Sequence, residues 1–420
     1  MDKGILREIL LENQRLIPKI KLVRRDFTFE KNGNYVLTGV RQAGKSYLLY
    51  QRIFQFIEEG HSIEEIAFIN FDDERLFKLD VSELNLIIEA YRSLYGHTPI
   101  FFFDEIQNIE GWEHFARRLA NENFRVFITG SNAKMLSREV ATVLGGRFFT
   151  NLVYPYSFEE YLRANGLELK KHWEYGRTAD EVNRYFSEYF IYGGFPEILK
   201  YQDKRGWLNT LFDRIYFSDI VVRNNIRNEE GLRMAVKRLA ENVKQPVSYG
   251  RISNLIKATG LSSSPASIME YVKFMKESCM IFSLENYRSK FVEKETVKKH
   301  YFVDNGLLNI FLIDAETSLL ENLCAIHLKR KYGDEIYYFK MNEEVDFYIP
   351  DLDTGIQVSY SLRNRDVIDK EVKGLKTLNS MHPLKRLVIV TCDENGEIEL
   401  SPDCKIEIIP IWKWLLEDSL

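Results

Sequence analysis

The sequence predicts an α/β protein whose N-terminal part is a parallel β-sheet covered by helices. Three observations predict this fold class. Short apolar runs alternate with helical patterns between residues 35 and 150. A glycine-rich loop joins the first run to a helical pattern, and a later run of four apolar residues ends in two acids. In chain order the runs are YVLTGV, IAFINF, PIFFFDE, RVFITG and RFFTNLVY.

The composition is typical of a soluble globular protein. The chain has 420 residues, 45% of them apolar and 28% charged, and its net charge is −5. It is too apolar for a disordered protein, and its mild acidity removes any global argument for nucleic-acid binding while leaving local basic patches open. The longest run without charge has 12 residues, whereas a membrane span needs about 20. The N-terminal segment also lacks the apolar stretch of a signal peptide.

The cysteines favour a reducing, cytoplasmic location. Cys279, Cys324, Cys392 and Cys404 follow no zinc or redox spacing. Four cysteines in a chain of 420 residues do not form a disulfide scaffold.

The glycine-rich loop has the G-x-x-x-x-G-K-[ST] pattern of a phosphate-binding loop. Its residues are Gly39, Val40, Arg41, Gln42, Ala43, Gly44, Lys45 and Ser46. A predicted strand (Tyr35–Val40) precedes it, and a helical pattern that opens with Tyr47 follows it. Backbone N–H groups of such a loop face an anion at the start of a helix. We expect Lys45 to reach the β- and γ-phosphates of ATP and the Ser46 hydroxyl to bind Mg²⁺, and we include Tyr47 in the nucleotide-binding set.

Two acids follow the apolar run that begins at Ile100. Because a strand buried on both faces lies inside a parallel sheet, Asp104 and Glu105 should emerge at the carboxyl edge, where α/β sheets bind ligands. Asp104 is expected to hold Mg²⁺ through water, and Glu105 to polarise the water that attacks the γ-phosphate. The alternative is a strand that ends in two solvated acids.

The run Ile66–Phe71 predicts a further strand between the phosphate loop and the Asp104–Glu105 pair. An inserted strand at this place is typical of the additional-strand class of P-loop ATPases. The next strand, Arg125–Thr129, is followed by Gly130, Ser131 and Asn132. Ser131 or Asn132 is predicted to sense the γ-phosphate; the alternative for either is a helix N-cap.

Arg147 follows the glycine pair at residues 145 and 146. An arginine there is predicted to stabilise phosphoryl charge, either in its own subunit or in a neighbour's. The alternative is a surface ion pair. Arg41, inside the phosphate loop, is expected to support the loop.

These motifs resemble those of an AAA-superfamily ATPase domain. The chain as a whole is similar to a prokaryotic ATP-binding family that joins this domain to a C-terminal domain of unknown function with winged-helix and restriction-endonuclease-like parts. The residues that carry the resemblance are GVRQAGKS (39–46), FINFDD (68–73), FFFDEIQ (101–107), FITGS (127–131), GGR (145–147), YPYSFEEY (154–161), YGGFPEIL (192–199), YFVDNGLLN (301–309), ENL (321–323) and EVDF (344–347).

The resemblance implies ATP and Mg²⁺ as ligands and assigns nucleotide binding and hydrolysis to Lys45, Ser46, Asp104 and Glu105. It puts Ser131 at the sensor position and Arg147 at the family's arginine. The segment Tyr192–Pro196 has no chemistry that follows from its residues, and its glycine pair indicates a turn.

The middle of the chain predicts a winged helix-turn-helix. Val247–Ala258 predicts one short helix, and Pro265 behind the capping residue Ser264 begins another. Met280–Tyr287 and His300–Val303 predict a hairpin.

The charges of this region are compatible with two functions, which are contact with DNA and binding of a protein. The segment from Arg288 to Lys299 has a net charge of +3, as does the segment from Arg214 to Ala240, which favours contact with DNA phosphates. The outward residues of the second helix are a weak set for reading bases, and winged helices also bind proteins. These residues are Ser267, Glu270, Lys273 and Lys276.

The C-terminal part resembles the restriction-endonuclease-like fold. Such nucleases place an Asp and then [DE]-x-K on adjacent strands. Asp346 matches the first residue, but Gln357 and Ser359 replace the second carboxylate and the lysine. Because Mg²⁺ held by one carboxylate binds poorly, we expect this domain to be inactive and not to cleave DNA. The alternative is that Glu321, Glu344 or Lys340 supplies relocated groups.

The predicted organisation has four parts. Residues 1–158 form the ATPase domain, 159–245 a helical connection, 246–304 the winged helix and 305–420 the nuclease-like domain. The expected function is Mg²⁺-dependent ATP hydrolysis that drives a conformational switch, associated with double-stranded DNA and with no membrane. The alternatives are a nucleotide-gated protein-interaction switch and, less favoured, an ATP-regulated nuclease. A homo-oligomer or an unknown protein partner is compatible with the sequence.

Overall fold

The computed structural model describes residues 1–170, 173–174, 176–290 and 296–416. The chain divides into two compact units. The N-terminal unit comprises Met1–Pro155 with Glu277–Cys279, and the C-terminal unit comprises Tyr156–Lys276 and Met280–Leu420. Within the described ranges, no helix combines the length and the apolar character needed to cross a membrane.

The N-terminal unit is a parallel sheet covered by helices, as the sequence predicts. Its elements are α1 (Lys3–Leu16), β1 (Asn34–Thr38), α2 (Lys45–Glu58), β2 (Ile66–Asn70), α3 (Asn85–Leu94), β3 (Ile100–Asp104), α4 (Trp112–Asn121), β4 (Arg125–Gly130), α5 (Arg138–Leu144) and β5 (Phe148–Leu152). The strands are all parallel, in the order β2-β3-β4-β1-β5. The carboxyl ends of β1, β3 and β4 therefore meet at one edge.

Both faces of this sheet are buried, which explains the uninterrupted apolar runs. Phe101 and Phe103 belong to the core that includes residues of α1, α3 and α4. Phe102 and Phe127 point to the opposite face, where their rings lie 4.9 Å apart, and Phe56 of α2 packs against both. Alternate residues of β3 thus pack against the two layers of helices on opposite faces of the sheet.

The C-terminal unit begins with helices and continues with a small sheet. The helices are α6 (Phe158–Ala164), α7 (Arg177–Tyr192), α8 (Lys204–Arg214), a π-helix (Ile215–Val222) and α9 (Glu229–Glu241). They are followed by β6 (Val247–Ser248), α10 (Tyr249–Lys257), α11 (Pro265–Glu277), β7 (Ile281–Leu284) and β8 (Val297–Phe302), and the three strands form an antiparallel sheet in the order β6-β8-β7. Part of the predicted wing, residues 291–295, lies outside the described residues.

A second, mixed sheet completes this unit. Its elements are α12 (Asn305–Asn309), α13 (Glu316–Tyr332), β9 (Tyr337–Lys340), β10 (Glu344–Ile349), β11 (Thr354–Val358), α14 (Arg365–Met381), β12 (Arg386–Thr391), β13 (Gly396–Ser401), β14 (Cys404–Pro410) and α15 (Ile411–Trp414). The strand order is β13-β14-β12-β11-β10-β9. The sequence predicts the helices and strands from α13 to β12 but misses β13 and β14. The winged-helix and nuclease-like assignments and the four domain boundaries stay predictions.

The glycine pair at residues 193 and 194 joins two distant motifs of this unit. The Gly194 N–H donates to Asp304 Oδ2 over 2.7 Å, and Gly193 has a φ of +75°. A Cβ atom on Gly193 would lie 1.9 Å from Asp304 Oδ1. Asp304 also accepts a hydrogen bond of 2.8 Å from the Gly306 N–H. The turn predicted at this glycine pair therefore has a structural role, because it lets the backbone pack closely against the buried carboxyl group of Asp304.

Candidate functional site

The phosphate loop bends between β1 and α2 as its glycines require. Gly44, immediately before α2, has a φ of +95°, and Gln42 adopts the left-handed region at +62°. A Cβ atom on Gly39 would lie 2.1 Å from the carbonyl oxygen of Val153, so only glycine fits there. The turn brings backbone N–H groups together at the start of a 14-residue helix, which is an anion-binding geometry.

Lys45 and the neighbouring loop residues face this turn. The Lys45 ammonium is buried and donates to the carbonyls of Gly39 and Val40, each over 3.1 Å. Arg41 is half-buried, and Tyr47 on the first turn of α2 is 43% exposed, with its ring edge against Tyr50. The loop therefore offers one buried cation to a phosphate group.

Arg25 supports the loop, and sequence reasoning missed it. Its guanidinium is buried and donates to the carbonyl of Ala43 over 3.0 Å and to that of Tyr154 over 2.8 Å. Its backbone also exchanges hydrogen bonds with the Gln51 side chain. Nothing in the pattern around residue 25 marks this arginine, because its partners are backbone carbonyls far away in the sequence.

Asp104 lies beside Ser46, where the sequence predicts a magnesium site. The Ser46 hydroxyl donates to Asp104 Oδ2 over 2.7 Å, and the Thr129 hydroxyl donates to Oδ1. Burial, with a smaller contribution from the charge of Glu105, raises the pKa of Asp104 to about 6, against the effect of both hydroxyl groups and Lys45. One carboxylate and one hydroxyl side by side are oxygen ligands that suit Mg²⁺. Thr129 is a further residue of this site that the sequence did not single out.

Glu105 is held at the same edge in an uncommon backbone conformation. Its φ is +54°, and its N–H donates to Thr129 Oγ1 over 3.0 Å. Its Oε1 atom lies 3.7 Å from the Lys45 ammonium, and its Oε2 atom accepts a 2.6 Å hydrogen bond from Gln107. Burial raises the pKa of Glu105, but Lys45, Gln107, Arg41 and Ser131 together outweigh burial and hold it below its usual value. Glu105 is therefore an ionised carboxylate at neutral pH.

The structure separates the two candidates for the sensor. Ser131 is 1% exposed, and its hydroxyl accepts a 3.3 Å hydrogen bond from Gln107. Asn132 is instead the N-cap of a short 3₁₀-helix, because its Oδ1 accepts a 2.9 Å hydrogen bond from the Lys134 N–H. Ser131 thus lies in the polar network around Glu105, and the Asn132 side chain has the capping contact that the sequence offered as the alternative.

Arg147 lies at the other end of the sheet. In the parallel register of β1 and β5, Asn34 pairs with Phe148 and Thr38 pairs with Leu152. Arg147 precedes β5 and so lies at the amino edge, whereas the phosphate loop follows Thr38 at the carboxyl edge. At about 3.3 Å per residue, β1 alone separates the two edges by about 13 Å.

The side-chain contact of Arg147 is local. Its side chain is exposed, and one guanidinium nitrogen donates to the carbonyl of Gly145 over 3.1 Å. This geometry does not support a role in cis, and among the residues that the structure describes Arg147 has no acidic partner for the surface ion pair that is the alternative. A role in trans stays a prediction.

Comparisons with known proteins agree with this geometry. Residues 31–162 match a family described as an AAA domain, and residues 183–318 match a domain of unknown function, DUF8612. The uncharacterized protein MJ1544 of Methanocaldococcus jannaschii is 34% identical over 438 residues, which cover 99% of this chain and 96% of that protein. The chain belongs to the same family as MJ1544. Residues 31–162 are the AAA domain, and residues 183–318 are the domain of unknown function.

Other proteins are also similar to this chain. An uncharacterized protein of Haemophilus influenzae is 29% identical, over 91% of this chain and 94% of that protein. Among solved structures, the Walker-type ATPase PABY2304 of Pyrococcus abyssi aligns with a TM-score of 0.40 and 14% identity, over 74% of this chain and 96% of that one. AMPPCP-bound DnaA from Aquifex aeolicus aligns with a TM-score of 0.27 and 14% identity, over 65% and 86% of the two chains.

A buried charge cluster occupies the C-terminal unit. The Lys299 ammonium lies 3.0 Å from Glu321 Oε1, 2.9 Å from Glu344 Oε1 and 3.0 Å from Asp346 Oδ1, and its side chain is 0% exposed. The Tyr301 hydroxyl donates to Glu321 over 2.7 Å. We call Lys299, Tyr301, Glu321, Glu344 and Asp346 the Lys299 cluster.

This cluster corrects two statements made from the sequence. The charge of the predicted wing includes Lys299, but its ammonium is buried and does not face solvent. The sequence predicts that Asp346 lacks a lysine partner, but Lys299 supplies one from β8, outside the [DE]-x-K pattern. Lys340, the relocated lysine that the sequence offered, contacts Glu344 over 2.6 Å. In the part of the chain that the structure describes, no group of three or more His, Cys, Asp or Glu side chains is arranged to hold a metal ion.

The residues that replace the nuclease pattern have other contacts. Gln357 donates to the carbonyl of Glu344 and accepts from the N–H of Asp346, each over 2.9 Å, so it ties β11 to β10. The Ser359 hydroxyl donates to the carbonyl of Ser361 over 3.2 Å. A cavity of about 290 Å³ lies beside these residues, lined also by Glu321 and Glu371. Burial, together with the Asp346 charge, raises the pKa values of Glu321 and Glu371 to about 7.

Proposed function

We propose that the N-terminal unit binds ATP with Mg²⁺ and hydrolyses it. The observation that carries this proposal is that Lys45, Ser46, Asp104 and Glu105 converge at one edge of the sheet although two separate segments supply them. Ser46 touches Asp104, and Lys45 lies 3.7 Å from Glu105. This is the set of groups that phosphoryl transfer to water requires.

Each group has a separate task. The loop N–H groups and Lys45 bind the β- and γ-phosphates, for which Lys45 exchanges its contacts with the Gly39 and Val40 carbonyls. Ser46 and Asp104 hold Mg²⁺, which when bound neutralises charge on the phosphate oxygens. Glu105 is ionised, so it accepts a hydrogen bond from the attacking water and takes its proton. Ser131 is the sensing residue, since its hydroxyl lies in the network around Glu105.

Two substitutions test these roles. Lys45→Ala should abolish tight ATP binding, because the phosphates lose their buried cation. Glu105→Gln should keep ATP binding and lose turnover, because only the activation of water is removed. Binding of a fluorescent ATP analogue and release of phosphate measure the two properties. A Glu105→Gln variant that hydrolyses ATP at the parent rate would show that the assignment of Glu105 is wrong.

We infer further that turnover drives a conformational change in the C-terminal unit, and that this unit contacts double-stranded DNA through the predicted winged helix. Arg288 and Lys290 at the hairpin and Lys273 and Lys276 on α11 are exposed and support phosphate contacts. The basic surface is smaller than the sequence count implies, because Lys299 is buried and Lys298 pairs with Glu285 over 2.9 Å.

A nucleotide-gated switch that binds a protein is the second candidate. A cavity of about 640 Å³ favours it, since Met234, Leu261, Ile310 and Phe311 form an apolar lining in the C-terminal unit. A DNA titration at several salt concentrations discriminates the two. Phosphate contacts give an affinity that falls steeply with salt, and Arg288→Glu with Lys290→Glu should weaken it. Absence of DNA binding at low salt would favour the protein-binding switch.

A further inference from the structure

Gln107 touches both the general base and the sensing residue of the proposed reaction. Its amide nitrogen donates to Glu105 Oε2 over 2.6 Å and to Ser131 Oγ over 3.3 Å. Both amide hydrogens are thereby used, one on each residue. Glu105 follows β3 and Ser131 follows β4, so this one amide connects the ends of two strands.

The local backbone brings Gln107 back over Glu105. The left-handed conformation of Glu105 turns the chain directly into a 3₁₀-helix, Ile106–Asn108. A side chain two residues after Glu105 then reaches its carboxylate. A non-glycine residue in this conformation costs energy and persists where the surroundings fix it.

Gly130 provides the space for this amide. A Cβ atom on Gly130 would lie 2.4 Å from Gln107 Oε1 and 2.0 Å from Met135 Sδ. The Gln107 amide therefore fits against β4 only because residue 130 has no side chain. The close packing against Gly130 of β4 therefore helps to set the position of Gln107.

The orientation of the amide is fixed by charge. The Gln107 Oε1 atom is buried and, within the described ranges of the chain, has no hydrogen-bond partner. Turning the amide over would bring this oxygen against the carboxylate of Glu105, which repels it. The arrangement thus leaves an acceptor unsatisfied in order to keep a donor on Glu105, and buried unsatisfied groups of this kind require an explanation.

We propose that Gln107 is the positioning residue of the hydrolysis site. It aims the Glu105 carboxylate at the attacking water and links that carboxylate to Ser131, so that a displacement of the sensing hydroxyl changes the direction of the base. This inference rests on the proposed ATPase function and deepens it, since Gln107 has no role in the motif assignments and takes no part in the magnesium and phosphate contacts.

The test compares Gln107→Leu and Gln107→Glu with the parent chain in steady-state ATP hydrolysis. We expect kcat to fall roughly 10- to 100-fold, because misplacing a catalytic group by about 1 Å costs on the order of 100-fold. KM and the affinity for ATP should change less than about twofold, because no phosphate contact is lost. Gln107→Glu keeps the length of the side chain but replaces the amide donor with a group that repels the Glu105 carboxylate, so it reports on the loss of this hydrogen bond if Gln107→Leu folds poorly.

Asn108 is the matched control. It is also an amide of the same 3₁₀-helix, but its side chain donates to the Phe71 carbonyl over 3.2 Å and to Asp72 over 2.7 Å, and its contact with Glu105 is a backbone hydrogen bond of 3.3 Å to the carbonyl oxygen. Asn108→Leu should therefore disturb the turn without the selective loss of kcat. Thermal unfolding of all variants identifies a general loss of structure.

A double substitution decides whether Gln107 acts through Glu105. Adding Gln107→Leu to Glu105→Gln should lower the residual rate no further. Three results would overturn the inference and leave the proposed function standing. They are an unchanged kcat in both Gln107 variants, a selective rise in KM, and a full additive loss of rate in the double variant. If the parent chain does not hydrolyse ATP, the proposed function fails and the inference fails with it. If Glu105→Gln alone has the parent rate, the assignment of Glu105 as the base fails, and the inference fails with that assignment.

Discussion

Removing the ammonium of Lys299 should destabilise the C-terminal unit far more than removing its neighbour. In Lys299→Met, the carboxylates of Glu321, Glu344 and Asp346 lose the cation that lies within 3.0 Å of all three. Breaking a buried ion pair by removing one partner costs about 3–5 kcal/mol. Lys298→Ala is the comparison variant, because this adjacent lysine pairs with Glu285, whose side chain is 36% exposed, and solvated pairs contribute about 1 kcal/mol or less.

The pH dependence of the free energy of unfolding gives a second test of this role of Lys299. Burial raises the pKa of Glu321 to about 7 from an ordinary value of 4.5. A raised carboxyl pKa means that the folded state holds its proton more tightly than the unfolded state. The stability that results is present below about pH 4.5 and is lost as the pH rises through about 7. Without Lys299, ionisation of the three carboxyl groups becomes costlier still, so the deficit of Lys299→Met relative to the parent should widen between pH 5 and pH 8.

Urea unfolding followed by tryptophan fluorescence measures this effect, because Trp173, Trp207, Trp412 and Trp414 all belong to the C-terminal unit. The midpoint shift at constant slope gives the change in free energy of unfolding. A Lys299→Met variant no less stable than Lys298→Ala at pH 8 would refute the view that this ammonium holds the cluster together.

Three further predictions concern other parts of the molecule. Arg147→Ala should lower ATP turnover without weakening ATP binding, and parent activity per molecule should rise with protein concentration; full activity in the variant would make Arg147 structural. Arg25→Ala should weaken ATP binding at least several-fold in an equilibrium titration, because the Ala43 carbonyl loses its buried donor; unchanged affinity would contradict this. Supercoiled and single-stranded DNA incubated with the protein, ATP and Mg²⁺ or Mn²⁺ should stay intact on gels, because the carboxylates around Asp346 are already held by Lys299; nicking that disappears in Asp346→Ala would identify an ATP-regulated nuclease.

The sequence was most informative where the chemistry is local. The phosphate loop and the Asp104–Glu105 pair are contiguous motifs, and the strands that carry them are long apolar runs, so the parallel sheet and the site residues follow from reading along the chain. Arg25 and Thr129 could not be found this way, because their roles depend on partners that only the fold brings near.

The C-terminal unit shows the same limit more clearly. Lys299 lies in a charged segment, which predicts exposure to solvent. In the structure β8 begins three residues before the predicted start at His300, so Lys299 belongs to this strand and its side chain is buried. Strand β13 was missed because its residues alternate between half-buried and exposed without a strongly apolar face. Arg147 looked like a phosphate ligand by its position after a glycine pair, and only the strand register shows that it lies at the opposite edge.

The Lys299 cluster also bears on how the chain can be divided. Lys299 and Tyr301 precede the predicted boundary at residue 304. Their three carboxylate partners, Glu321, Glu344 and Asp346, follow it, so the interacting charges of one cluster lie on both sides of this boundary. A fragment beginning at residue 305 would carry three acidic groups in its interior with neither the cation nor the phenol that stabilises them, and a fragment ending at 304 would carry a lysine with no counter-ion. The hairpin and the six-stranded sheet are therefore not interchangeable modules. They should fold and unfold cooperatively as one body, and a protease should find no stable intermediate between them.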